Sequence, residues 1–315
     1  MERASASSGV QVPDLGPPPE RITVDLEIVR HLVARQFPQW SNLTVEPVDD
    51  PGWDNYTFRL GDDLSVRMPS AAQYALAVEK ERQWLPRLAP RLPVPVPTVR
   101  GRGVPGSGYP FPWSIYDWLD GSTATTSGVA DQLLLAEQLA DFILSLRDIE
   151  AADGPQPGIH NWYRGATLLT YDATARRALG ALTDHIDVGR ALDVWAAALA
   201  APWDGVDAWF HGDLAAGNLL LRDGQLAGVI DFGTCGVGDP SCDLAVAWTL
   251  LAEPGRQVLK DRLRVDDASW ARGRGWALWK TLSGLASAVA DDDAPAADRL
   301  MHVYREIEED GAGDA

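Results

Sequence analysis

The sequence predicts an α+β fold in two parts: a small N-terminal one built on an antiparallel sheet and a larger, mainly helical C-terminal one. Three observations predict it. Short runs of strand-forming residues separated by turn residues fill positions 43–68 and recur at 111–119. Beyond Gly121 the apolar residues fall at helical spacing. One tight hairpin, 219–230, interrupts those helices and carries oxygen-rich side chains at both ends.

The elements follow in order. Residues 1–20, rich in Ser, Gly and Pro, predict a flexible tail. Residues 21–118 are assigned to the small part and 119–315 to the large one. Leu26, Val29, Leu32, Val33 and Phe37 share one helix face, with His31 off it. Strands at 43–48, 56–60 and 64–68 come next, the last two joined by a turn at Gly61 to Asp63. Residues 71–85 predict a helix closed by Pro86, with Lys80 facing solvent. The Pro-laced run 91–97 predicts an extended edge segment. The Gly-rich run 101–108 predicts a loop, and 111–119 a strand ending at Asp120. Residues 130–150 place Leu135, Leu139, Phe142, Ile143 and Leu146 on one helix face. Further helices are predicted over 171–183, 188–201, 245–252, 256–263, 268–288 and 296–309, and residues 308–315 should fray.

A net charge of −18 argues against a nucleic-acid partner, which needs Lys and Arg surfaces, and suits a cationic substrate. No apolar run reaches membrane-spanning length and no apolar leader follows Met1. Cys235 and Cys242 match no metal-ligand spacing and no disulfide framework, so a reduced cytoplasmic setting is expected.

The chemistry gathers at the hairpin. Residues 211–218 read H-G-D-L-A-A-G-N and residues 230–233 read I-D-F-G. Asn218 enters one strand and Asp231 leaves its partner, so the two lie near each other. Their amide and carboxylate oxygens suit Mg²⁺, with phosphate and water completing its shell. Asp213, five positions before Asn218, is left to face a substrate hydroxyl.

These two motifs resemble the kinase catalytic loop, with Gly212 in the Arg position, and the metal-binding D-F-G. With G-D-P-S-C-D-L-A at 238–245, the chain over roughly residues 40 to 300 resembles the aminoglycoside phosphotransferase family, which includes macrolide kinases. The resemblance implies a protein-kinase-like bilobal fold. It also implies Mg²⁺-dependent transfer of the γ-phosphoryl group of ATP or GTP to a small-molecule hydroxyl, first of all an aminoglycoside. A macrolide or a choline- or sugar-like metabolite is the alternative acceptor. A catalytically silent nucleotide-binding protein is the alternative of a different class.

The same resemblance implies roles. Asp213 is the catalytic base, and Asn218 and Asp231 hold the metal. Gly52 and Asn55 cover the nucleotide. Arg67 clamps the phosphates and Glu81 orients it. The Asp117 carbonyl and the Leu119 amide meet the adenine edge, and His211 and Asp243 support the catalytic loop. The sequence departs from the kinase pattern in three places. A full G-x-G-x-x-G is missing, and Arg67 stands where a kinase has Lys; the two cations are not interchangeable, so the silent reading stays open. An A-P-E element is also missing, and few residues separate Gly233 from Asp239, which leaves no peptide-docking segment and favours a small acceptor.

Overall fold

The structure, a computed structural model, describes residues 12–13, 15–48, 52–124 and 128–312. Most of the predicted tail, and residues 313–315 of the predicted frayed end, lie outside them.

Helix α1 (Leu26–Gln36) begins at Asp25, whose carboxylate accepts from the Ile28 amide at 2.8 Å, satisfying one of the open N–H groups of its first turn. Strands β1 (Val45–Pro47), β2 (Asn55–Leu60), β3 (Leu64–Pro69), β4 (Val99–Gly103) and β5 (Trp113–Asp117) form one antiparallel sheet in the order β1-β2-β3-β5-β4. Val29, Leu32 and Val33 of α1 pack on Phe58, Leu60, Val66, Met68 and Ile115 of that sheet, making a small core of its own. Hydrophobic burial of this kind is the main stabilising term, about 1.5–3 kcal/mol for each large side chain.

Two expectations here are corrected. The edge strand beside β5 is Val99–Gly103, not the Pro-laced run before it, which forms no strand. Its glycines serve close packing rather than turning: a Cβ on Gly103 would lie 2.1 Å from the buried Trp113 ring. Helix α2 (Ala72–Leu88) continues through Pro86. A proline inside a helix leaves the carbonyl four residues back without its N–H. Here that carbonyl, on Arg82, accepts from Arg102 Nη2 at 3.2 Å instead.

The rest is helical around a second, larger core. Strand β6 (Ser122–Thr123) precedes α3 (Gln132–Arg147), α4 (Asp172–Ala181) and α5 (Val188–Ala200). Strands β7 (Ala208–Phe210), β8 (Leu219–Arg222), β9 (Gln225–Val229) and β10 (Gly236–Gly238) carry the functional loops. Helices α6 (Val246–Thr249), α7 (Glu253–Leu263), α8 (Asp267–Ala290) and α9 (Ala294–Ala312) complete it. β6, β8 and β9 make one small sheet, and β7 pairs with β10. Helix α9 persists to Ala312, so residues 308–312 do not fray as expected. Trp84, Leu85 and Leu88 of α2 belong to this larger core, and Trp84 meets Trp209 of β7 at 4.9 Å between ring centroids. One helix thus ties the sheet to the helical part, with a cleft left between them.

Candidate active site

The loop between β7 and β8 is held from behind. The buried Asp243 carboxylate accepts from the His211 amide at 2.8 Å and the Gly212 amide at 2.7 Å. Burial raises its pKa, while His211 and those two amides oppose the rise. The buried His211 ring accepts from the Asp213 amide at Nδ1 (3.3 Å) and donates from Nε2 to the Ile230 carbonyl (3.0 Å). It therefore joins the two functional loops. Burial lowers its pKa, which suits this neutral tautomer. Gly212 has φ +84°, and a Cβ there would lie 2.8 Å from the Thr234 carbonyl oxygen, so no side chain fits at this position.

Asp213 follows. Asn218 Nδ2 donates to its backbone oxygen (2.9 Å) and to Oδ2 (3.1 Å). Its Oδ1 pairs with the Lys280 ammonium of α8. Burial works to raise the Asp213 pKa, but Lys280, with help from Arg164 and His211, holds it below the usual carboxylate value.

Across the hairpin, the Ile230 amide donates to the Asn218 carbonyl at 2.9 Å, which brings Asp231 beside Asn218. Asp231 sits in the left-handed region, φ +65°, uncommon for a residue with a Cβ and a form of strain found at functional sites. Its Oδ1 takes Arg67 Nη2 at 3.0 Å. Arg67 also faces Glu81 Oε1 at 3.7 Å, and the Tyr116 hydroxyl donates to Glu81 Oε2. Burial opposes the Arg67 charge, yet Asp231 and Glu81 outweigh it and raise the pKa. For Glu81 burial wins over Arg67, and its pKa rises.

Among the described residues no three His, Cys, Asp or Glu side chains are arranged to hold a metal by themselves. Asn218 and Asp231 nonetheless fit a Mg²⁺ ion that draws its other oxygens from phosphate and water. Both Asn218 amide hydrogens face Asp213, so its amide oxygen is the atom left for a cation. Negative charge is also in excess there. Burial first, then Asp231 and Asp213, push the Asp54 carboxyl up to about 7 against the opposing pull of Arg67.

A cavity of about 380 Å³ opens beside this pair. Gly52 and Asn55 line its roof, Asp117 and Leu119 its hinge side, and Asn218 and Asp231 its floor. Gly52 adopts φ +83°. The Trp118 amide is taken by the Asp63 carbonyl at 2.7 Å, while the Leu119 amide meets no backbone carbonyl among the described residues. Asp213 lines a separate, nearly closed cleft of about 10 Å³ with Arg164, Trp276, Trp279 and Lys280. Asn218 lines the larger cavity and reaches the smaller cleft through its hydrogen bond to Asp213.

Four residues of this site were not singled out from sequence: Asp54, Lys80, Arg164 and Lys280. Lys80 corrects an expectation outright, because it is buried rather than solvent-facing. Its ammonium donates to the Gly233 (2.7 Å) and Cys235 (2.9 Å) carbonyls and meets His160 Nδ1 at 3.3 Å. It ties α2 to the segment that follows Asp231. The signal was present: Lys80, Trp84 and Leu88 follow one another at i+4, and the last two are core residues.

An antiparallel sheet with one linking helix, a helical second lobe and a cavity between them define a protein-kinase-like fold. Solved structures share it. One described as the GDP and kanamycin complex of APH(2")-IIia covers 90% of this chain and 98% of its own, at TM-score 0.67 and 21% identity. The macrolide 2'-phosphotransferase MphH from Brachybacterium faecium covers 89% and 97%, at TM-score 0.56 and 21% identity. At those identities the likeness is one of fold. The model of the phosphotransferase enzyme family matches residues 44–276, and the chain belongs to that family. An aminoglycoside 3'-phosphotransferase of Escherichia coli is 46% identical over 43 residues; that match spans 14% of this chain and 16% of the relative. No helix among the described residues is long and apolar enough to cross a membrane.

Proposed function

We propose that the chain moves the γ-phosphoryl group of ATP or GTP to a hydroxyl of a small molecule. The observation that carries this is Asn218, which lines the nucleotide-sized cavity and at the same time donates to Asp213 in the neighbouring cleft. A donor on one side and an acceptor on the other would meet across it. Arg67 would offset the charge of the α- and β-phosphates, a task its fork of N–H groups suits. Asn218 and Asp231 would hold Mg²⁺, which when bound neutralises charge on the β- and γ-phosphates. Asp213 would accept a hydrogen bond from the acceptor hydroxyl. The new O–P bond forms as the bond from phosphorus to the β,γ-bridging oxygen breaks, the nucleoside diphosphate leaves, and the hydroxyl proton passes to Asp213. A carboxylate held below its usual pKa is a weak base, so orientation is its larger contribution.

Aminoglycosides and macrolides are the first acceptors to test, because similar proteins carry those names. Nucleotide binding is measured by calorimetry, and nucleoside diphosphate release by a coupled assay over both classes and over choline- and sugar-like alcohols. Asp213→Ala should cut turnover about 1000-fold and leave nucleotide affinity within a few-fold. Mg²⁺-dependent nucleotide binding without diphosphate release from any acceptor would favour the silent nucleotide-binding reading.

A further inference from the structure

The acceptor side of Asp213 has a chemistry of its own. Its cleft holds one carboxylate, Asp213, and two cations, Arg164 and Lys280, beside Trp276 and Trp279. The Arg164 guanidinium stacks over Trp279 at 4.5 Å, Tyr171 at 5.2 Å and Trp276 at 5.6 Å, and its Nε donates to the Gly212 carbonyl at 3.1 Å. It is thereby fixed next to the catalytic loop as a standing positive charge. Trp276 is buried, and its indole N–H, which can only donate, has no hydrogen-bond partner. A buried unpartnered donor is destabilising unless a ligand supplies an acceptor.

Lys280 completes the set. Its ammonium occupies Asp213 Oδ1, the other oxygen being engaged by Asn218. An arriving hydroxyl would share Oδ1 with Lys280 or displace its ammonium. About a third of the Lys280 side chain is exposed, and its four-carbon stem can swing without disturbing α8. Once displaced, the ammonium still lies beside the acceptor. Of the three lysines in the chain, Lys80, Lys260 and Lys280, Lys280 is the one that lines this cleft.

We infer that Lys280 and Arg164 make the acceptor subsite a cluster of hydrogen-bond donors, selecting a hydroxyl whose neighbouring groups are oxygen acceptors (carboxylate, carbonyl or ether) and rejecting one flanked by ammonium groups. This rests on the phosphotransferase reading, and it departs from the cationic acceptor that the net charge of the whole chain favours. Net charge describes the whole chain; the two charged side chains that line the cleft with Asp213, Arg164 and Lys280, carry the opposite sign.

The test uses matched rings that differ in one substituent: glucuronate, glucose and glucosamine, with kanamycin as the polycation. Binding is measured by calorimetry on the full chain with Mg²⁺ and a non-hydrolysable nucleotide, and turnover by diphosphate release. The anionic or neutral member should exceed the amino member at least 10-fold in affinity. Lys280→Glu should shift that ratio at least 10-fold toward the amino member, and Lys280→Arg should preserve it. Tighter binding of glucosamine or kanamycin to the parent, no binding of any anionic or neutral member, or a ratio unmoved by Lys280→Glu would each overturn the inference. A chain that binds no nucleotide would instead end the phosphotransferase reading, so the two failures are told apart.

Discussion

The two sides of the cleft treat their carboxylates in opposite ways. On the nucleotide side Asp54 is pushed up to about 7, by burial first and then by Asp231 and Asp213. On the acceptor side burial also acts on Asp213, but Lys280 and Arg164 reverse it and hold the pKa down. The nucleotide side is an open cavity of about 380 Å³ with negative charge to spare. The acceptor side is closed by its own ion pair. Under the proposed function, one half would receive a cation with its phosphates, while the other already contains two cationic side chains.

The largest effect should come from the brace behind both halves. Asp243→Ala leaves the buried His211 and Gly212 amides without their charged acceptor. Bonds to charged groups contribute about 1.5–3 kcal/mol each, so a loss of about 3 kcal/mol in urea unfolding is expected. Because the displaced loop carries Asp213, kcat should fall more than nucleotide KM rises. Equal changes in both would show that the two sides share one support.

Next in size is Asp231→Ala. Arg67 would then face Glu81 alone, and the cavity floor would lose its carboxylate. Mg²⁺-dependent nucleotide affinity should weaken about 10- to 100-fold, the equivalent of one charge-assisted interaction. Calorimetry with and without Mg²⁺ checks it. The same loss in both conditions would make Asp231 a partner for Arg67 and not a metal ligand.

This difference between the sides also decides what was legible in the sequence. Asp213, Asn218 and Asp231 flank one hairpin, so local spacing was enough to bring them together. The α+β division and most helices were equally readable, because apolar periodicity is a local signal. Lys280 and Arg164 reach Asp213 from segments far along the chain, and no local pattern marks such a meeting. Lys80 was misread because an isolated lysine on a helix is usually exposed. Here four polar atoms from distant loops, the Gly233, Cys235 and His160 carbonyls and His160 Nδ1, meet its ammonium. Glycines at 101 and 103 read as loop formers, yet they mark close packing under Phe37 and Trp113. Composition reports that glycine is needed, not why.

The smallest effect tests the charge excess on the nucleotide side. Asp54 has its ordinary carboxylate pKa in the unfolded chain and about 7 in the folded one. Below pH 4 both states hold the proton. As pH rises from about 4 toward 7, the unfolded chain releases it first while the folded chain retains it, so stability falls through that window and levels off above it. Asp54→Asn cannot titrate and should lose that part of the slope. One pKa unit corresponds to about 1.4 kcal/mol as an upper bound, and the partial exposure of Asp54 reduces the effect to on the order of 1 kcal/mol between pH 5 and pH 7.5. Urea unfolding of the nucleotide-free parent and variant at those two pH values measures it. Parallel pH dependence in the two proteins would mean that Asp54 ionises freely. The negative charge on the cavity floor would then be shared with solvent rather than stored for a cation.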